Sequence, residues 1–99
     1  IDKVYAFNHK SVPVSYPADA NILGIQANVW TETIVTPQRL DFMLFPRIAA
    51  LAEAGWTEDR NKNFDHFNKR LREHLKLYGE DNIYYYDPFS PQNTCEPVK

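Results

Sequence analysis

Gln26, Asn28, Trp30 and Glu32 occupy alternate positions of the run 24–32. In an extended backbone, alternate side chains share one face. The opposite face carries Leu23, Ile25, Ala27 and Val29. A flat indole covers the apolar surface of a bound molecule, and a carboxylate accepts hydrogen bonds strengthened by its charge, so the polar face has the chemistry of a binding subsite. A barrel strand has this composition where it enters an active site. An ordinary half-exposed strand alternates in the same way, but its polar face more often carries Lys, Thr and Glu than Gln, Asn and Trp together.

The other residues of chemically active types point elsewhere. His9, His66 and His74 lack the spacing that a zinc site needs. Cys95 is the single cysteine, which excludes an intrachain disulfide and any metal site built on paired cysteines. No cofactor or metal is implied. Arg47 and Glu53 lie about 240° apart around a helix at ~100° per residue, so they are expected to fix that helix to neighbouring strands rather than to pair with each other. Trp56 is expected in the core. The tyrosines 84–86 offer a ligand-binding patch, although packing on the helices is their more ordinary use.

The chain has 99 residues, 43% of them hydrophobic, which suits one domain with a modest core. A net charge of -2 and a pI near 5.9 leave no basic stripe, so nucleic acid is not an expected partner. No apolar run approaches the roughly 18 residues that span a bilayer, and the start resembles no signal peptide, so a soluble chain with no membrane partner is expected. The first residue is Ile1 rather than Met, which fits a piece of something longer.

Placing Trp30 and Glu32 requires a strand over 22–30, a connecting loop over 31–35 and a helix that starts at Thr36 and Pro37, a good N-cap and first helical residue. Ahead of the strand, 1–21 is mostly loop: the apolar Val4, Tyr5, Ala6 and Phe7 are followed by Pro13 and Pro17. Behind it, Leu40, Leu44, Ile48 and Leu51 form one helical stripe, and Phe45, Ala49, Ala52 and Trp56 form a second beside it. So wide an apolar face belongs to a helix packed into a large protein. Pro46 should kink or split it near Phe45. A polar linker over 57–62 leads to a second amphipathic helix over 64–78, apolar at Phe64, Phe67, Leu71, Leu75 and Tyr78. Asn63 should cap it, Gly79 should end it, and its outer face should pair Asp65 with Lys69 and Lys69 with Glu73. The Pro-rich tail over 88–99 is expected to be disordered.

Gly24, Ala27, Trp30 and Glu32, followed by Pro46, Arg47, Ala50, Ala52, Glu53 and Trp56, resemble the carboxy-terminal end of the catalytic domain of glycoside hydrolase family 20, the β-N-acetylhexosaminidases. In that family G-x-x-A-x-x-W-x-E is the last strand of a TIM (β/α)8 barrel, and P-R-x-x-A-x-A-E-x-x-W belongs to the helix after it. Two motifs in the right order make the resemblance specific, and it covers 22 to about 79. It implies that 1–99 is the C-terminal part of the catalytic barrel, with the last strand and helix in 22–56, a closing helix in 63–79 and a tail in 88–99. As an isolated fragment the chain should be mainly α with little strand. The segment 22–29 has lost both barrel neighbours and should be irregular, or paired only with 4–7.

The resemblance further implies retaining hydrolysis of terminal β-linked N-acetylglucosamine or N-acetylgalactosamine, an exception to the usual two-carboxylate scheme. The substrate's 2-acetamido oxygen attacks C1, an Asp polarises the acetamido N–H, and an adjacent Glu protonates the leaving oxygen and later activates water. The family's Asp-Glu pair belongs to the fourth strand, and this sequence has none: Glu80 and Asp81 stand in reversed order at a helix exit, and Asp59 lies in a polar linker. No catalytic residue is carried over. Two positions match the family's sugar pocket, Trp30 as an aromatic wall and Glu32 as the acceptor for the O4 and O6 hydroxyls. The implied partners are N-acetylhexosamine-terminated glycans and the remainder of the same catalytic domain, and the family often acts outside the cytoplasm. The alternative is a stand-alone, non-catalytic carbohydrate-binding or interaction module that uses Trp30 and the tyrosines without hydrolysis.

Overall fold

The computed structural model of the chain describes residues 1–8, 10, 15–17 and 21–98. His9 and Pro13 lie outside the described residues. Among the described residues four α-helices follow one another: α1 (Asp2–Tyr5), α2 (Pro37–Leu44), α3 (Arg47–Trp56) and α4 (Phe64–Glu80). Short 3-10 turns stand at Asp59–Asn61 and Pro91–Asn93. The described residues contain no strand, so the chain is the helical fragment that its lost barrel neighbours imply.

Each helix boundary has a local cause. The Thr36 hydroxyl caps α2 by accepting the Arg39 N–H at 3.2 Å, and Pro37 needs no partner for the hydrogen it lacks. The expected break falls at Phe45, whose backbone is extended (φ -96°, ψ 135°), and at Pro46, joined to it by a cis peptide bond. α3 restarts at Arg47. The Asn63 side chain caps α4 by accepting the His66 N–H at 3.0 Å. Gly79 does not end α4, contrary to expectation, but lies inside it. The exit is made by Asn82 at φ 58°, with the Ile83 N–H on the Tyr78 carbonyl at 2.9 Å and the Asn82 N–H on the Gly79 carbonyl at 3.2 Å. These paired bonds satisfy the last carbonyls, and a short polar side chain tolerates the left-handed conformation they require.

Tyr5, Ala50, Phe67 and Leu71 form the core, with Phe64 and Phe89 packed against it. The Tyr5 ring lies 5.3 Å from that of Phe64 and 4.9 Å from that of Phe67, and its hydroxyl accepts the Asn63 N–H at 2.7 Å. The start of the chain, expected to be mostly loop, therefore supplies a helical turn and the centre of the core. Its apolar stretch is too short to show a period, and the groups that bury it come from α3 and α4.

Arg47 and Glu53 hold α3 to other helices rather than to strands. Arg47 Nη1 donates to the carbonyls of Phe42 and Met43 at 2.9 and 3.0 Å, and the guanidinium lies 4.9 Å from the Tyr86 ring centroid. Glu53 takes two hydrogen bonds from Arg70 of α4, one of them at 3.2 Å. On the outer face of α4, Glu73 pairs with Lys76 at 2.9 Å in place of the two expected partnerships. Trp56 is 91% exposed rather than in the core, because the face of α3 that this chain buries carries Ala50 and Ala54. The Cα radius of gyration, 15.5 Å, exceeds the roughly 13 Å of a compact chain of this length, in keeping with faces left uncovered.

The segment after α4 turns back over α2. Tyr84 stacks on Phe42 at 6.0 Å, Tyr86 meets the same ring edge-on at 5.7 Å, and the Tyr86 N–H donates to the Phe45 carbonyl at 2.9 Å. Asp87 Oδ1 accepts the N–H groups of Phe89 and Ser90 at 2.9 and 3.0 Å, and the Tyr84 hydroxyl donates to the Cys95 carbonyl at 2.8 Å. The described part of the tail, 88–98, is thus held in place where disorder was expected. Its composition measures the cost of ordering it but says nothing of the acceptors and rings that wait on α2.

Candidate functional site

Residues 21–30 are irregular and lie along α3. Ile25 approaches Gly55 so closely that a Cβ there would come within 3.3 Å of Ile25 Cγ1. Ala27 and Val29 line a cleft with Met43, Ile48 and Leu51, but Asn28 of the other parity lines it too and Leu23 is 99% exposed, so the alternation does not sort the segment into a covered and an open face. What the segment lacks is a neighbouring strand for its backbone groups, and without ladder partners an extended chain is not a strand.

Trp30 stands at the end of this segment, 75% exposed. The chain then turns: the Ile34 N–H donates to the Thr31 carbonyl at 3.0 Å, which places Glu32 at the tip of a tight turn. The turn runs directly into the Thr36 cap of α2. Glu32 is exposed, and its carboxylate makes no hydrogen bond or ion pair among the described residues. An open indole therefore sits two residues from an open carboxylate. Such a pair can cover an apolar ring face and accept hydroxyl hydrogen bonds, but it holds no second carboxylate for acid-base work. Glu58 and Asp59 belong to the linker before α4, and Glu80 and Asp81 to its exit.

An ion pair that shifts both of its partners lies elsewhere, on a groove between α3 and α4 that is lined by Glu53, Trp56, Arg70, His74 and Tyr78. Hydrogen bonds from Arg70 hold the Glu53 carboxyl below its ordinary value, and the same contact raises Arg70. Burial raises the Tyr78 hydroxyl. No helix among the described residues is long and apolar enough to cross a membrane.

Sequence reasoning passed over Arg39. It is 2% exposed, its Nη1 donates to the Pro97 carbonyl at 2.7 Å and meets Glu96 Oε1 at 3.0 Å, and its Nε is buried without a partner among the described residues. The available signal was a cation in the first turn of a helix, flanked by the apolar Leu40 and Phe42.

The family model "Glycosyl hydrolase family 20, catalytic domain" matches residues 1–59. The chain is 36% identical over 94 residues to a beta-hexosaminidase of Porphyromonas gingivalis, which covers 93% of this chain and 12% of that protein. It is 36% identical over 72 residues to a beta-N-acetylhexosaminidase of Cellulomonas fimi, covering 73% of this chain and 14% of that protein. A beta-hexosaminidase of Vibrio furnissii is 43% identical over 44 residues, 44% of this chain and 7% of the relative. No solved structure matches. The chain thus spans only a small part of the length of these curated relatives, while the family match takes in Trp30, Glu32 and all of α3. This chain belongs to glycosyl hydrolase family 20, as a segment of its catalytic domain.

Proposed function

We propose that the protein containing this chain is a β-N-acetylhexosaminidase that removes terminal N-acetylglucosamine or N-acetylgalactosamine from glycans by the substrate-assisted retaining route, and that this segment helps to hold the non-reducing sugar. The main support is the family match over 1–59, because it includes the open indole and carboxylate together with the helix behind them. The names of the relatives support glycans that end in an N-acetylhexosamine as the substrate class.

On this proposal the Trp30 indole covers a C–H face of the sugar, and Glu32, at the tip of its turn, accepts the O4 and O6 hydroxyls. Residues 22–56 are the last strand and helix of the barrel and 63–79 its closing helix. The rest of the domain would supply the ladder that 22–29 lacks. The acetamido oxygen of the substrate attacks C1 as the bond to the leaving oxygen breaks, and the Asp and Glu that assist it come from other segments. The isolated chain should therefore show no turnover of an aryl N-acetyl-β-glucosaminide, and turnover that follows this polypeptide through purification would overturn the assignment.

The decisive experiment is Glu32→Gln in the full-length enzyme. The change keeps the shape, removes the charge and turns one acceptor into a donor. Loss of such a charged hydrogen bond costs roughly 1.5 to 3 kcal/mol, or about ten- to a hundredfold in kcat/KM. Part of the loss should appear in kcat, since the ring must be held while its acetamido group swings onto C1. The pH profile set by the general acid should hardly move. Undiminished kcat/KM on gluco- and galacto-configured substrates alike would remove Glu32 from the sugar subsite.

A further inference from the structure

Arg39 ties the first turn of α2 to the tail at 96–97. Its backbone N–H is the group capped by Thr36 at 3.2 Å, so Arg39 shares in fixing where α2 begins, and α2 begins directly after the turn tipped by Glu32. Its side chain reaches the other way, buried, with Nη1 on the Pro97 carbonyl at 2.7 Å and on Glu96 Oε1 at 3.0 Å. A guanidinium at 2% exposure depends on such acceptors, and with Nε already unpartnered among the described residues it has few to lose. The tail is itself anchored, through Cys95 on the Tyr84 hydroxyl at 2.8 Å and through the Thr94 hydroxyl, which accepts the Asp87 N–H at 3.0 Å. A line of contacts therefore runs from the tail through Arg39 to Thr36, and Thr36 follows the turn over 31–34 with one residue between them.

We propose that Arg39 is a positioning residue: locked by Glu96 and Pro97 of the tail, it fixes the turn that presents Glu32 and so sets the subsite for the hydroxyls of the terminal sugar. This rests on the assignment of Glu32 made above. The tail then acts as a strap on substrate binding without touching substrate, which separates its role from that of a packing element.

The test uses the full-length enzyme with Glu96→Ala, deletion of 95–98, and Arg39→Lys, each alone and combined with Glu32→Gln. Steady-state kinetics on aryl N-acetyl-β-glucosaminide and galactosaminide and a thermal melt are recorded for each. Glu96→Ala and the deletion are expected to lower kcat/KM by about three- to tenfold, at least partly through KM, and to add less than about twofold once Glu32 is Gln, because coupled groups are not additive. Arg39→Lys, which keeps the charge but loses the fork, should fall between parent and deletion. Glu73→Gln, on the exposed face of α4, should leave the kinetics unchanged. Parent-like kinetics for Glu96→Ala and the deletion would overturn the proposal, as would losses confined to kcat, the mark of a smaller folded fraction. Losses that multiply undiminished with Glu32→Gln would sink this proposal alone, whereas a silent Glu32→Gln would sink the sugar-subsite assignment along with it.

Discussion

Residues 37–80 and residues 21–30 are both rich in apolar side chains, yet the first stretch forms three helices and the second forms no regular structure at all. A helix satisfies its interior backbone groups within itself and needs a partner only for its apolar face and its ends. Thr36, Asn63 and Asn82 take care of ends, and Tyr5, Ala50, Phe67 and Leu71 take care of a face. An extended segment must find neighbours for its backbone groups, and 21–30 has no ladder partner among the described residues, although Ile25, Ala27 and Val29 approach the helices.

The largest test of this contrast is hydrogen exchange. In the isolated chain the amides of α4 around Leu71 should be protected on the order of a thousandfold more than those of 22–29, which should exchange at nearly the unprotected rate. Equal protection in the two stretches would break the comparison; a rise at 22–29 in the full-length enzyme would sharpen it. Next comes Leu71→Ala, which empties a position only 1% exposed in the core. It should cost about 2 to 5 kcal/mol against a total of roughly 5 to 15 for a domain of this size. A variant that melts within a degree or two of the parent would show that the helices are not held by this core.

The smallest effect belongs to the Glu53–Arg70 pair that ties α3 to α4. Both partners are partly solvated, so Glu53→Gln should cost no more than about 1 kcal/mol. Its signature is in pH: the folded value of Glu53 lies below the ordinary 4.5, so its contribution is fully present above 4.5 and is lost as pH falls through the lower, folded value. Melting the parent and Glu53→Gln from neutral pH down to pH 3 should show the difference between them shrinking on the acid side. A constant difference would mean that the carboxylate charge is not what matters.

The helices were legible because their causes are local. The caps at Thr36 and Asn63, the break at Pro46 and the 3.6-residue stripe of Phe67, Leu71 and Leu75 can each be found within a few residues of sequence. Features with distant causes were not legible. Tyr5 enters the core through Asn63, Phe64 and Phe67; the tail is ordered by Arg39, Phe42 and Phe45; Trp56 stands open at the edge of the groove between α3 and α4, away from the face that Ala50 and Ala54 bury. Trp30 and Glu32 stood out by parity with an apolar set, which the structure covers only in part, with Leu23 left exposed, and their roles came from the resemblance and not from any spacing.

Two ties in the chain span the same distance, Tyr5 to Asn63 and Arg39 to Pro97, each 58 positions apart. The loops they close are interleaved, and the stretch they share, 39–63, contains α2 from Arg39 on, all of α3 and the exposed linker at Asp59–Asn61. A protease cut in that linker would leave two pieces, one carrying Tyr5 and Arg39 and the other carrying Asn63 and Pro97. Each piece would hold one end of both ties, so the halves would clasp each other at two separate points. Cuts on either side of the shared stretch would leave one loop intact and open the other.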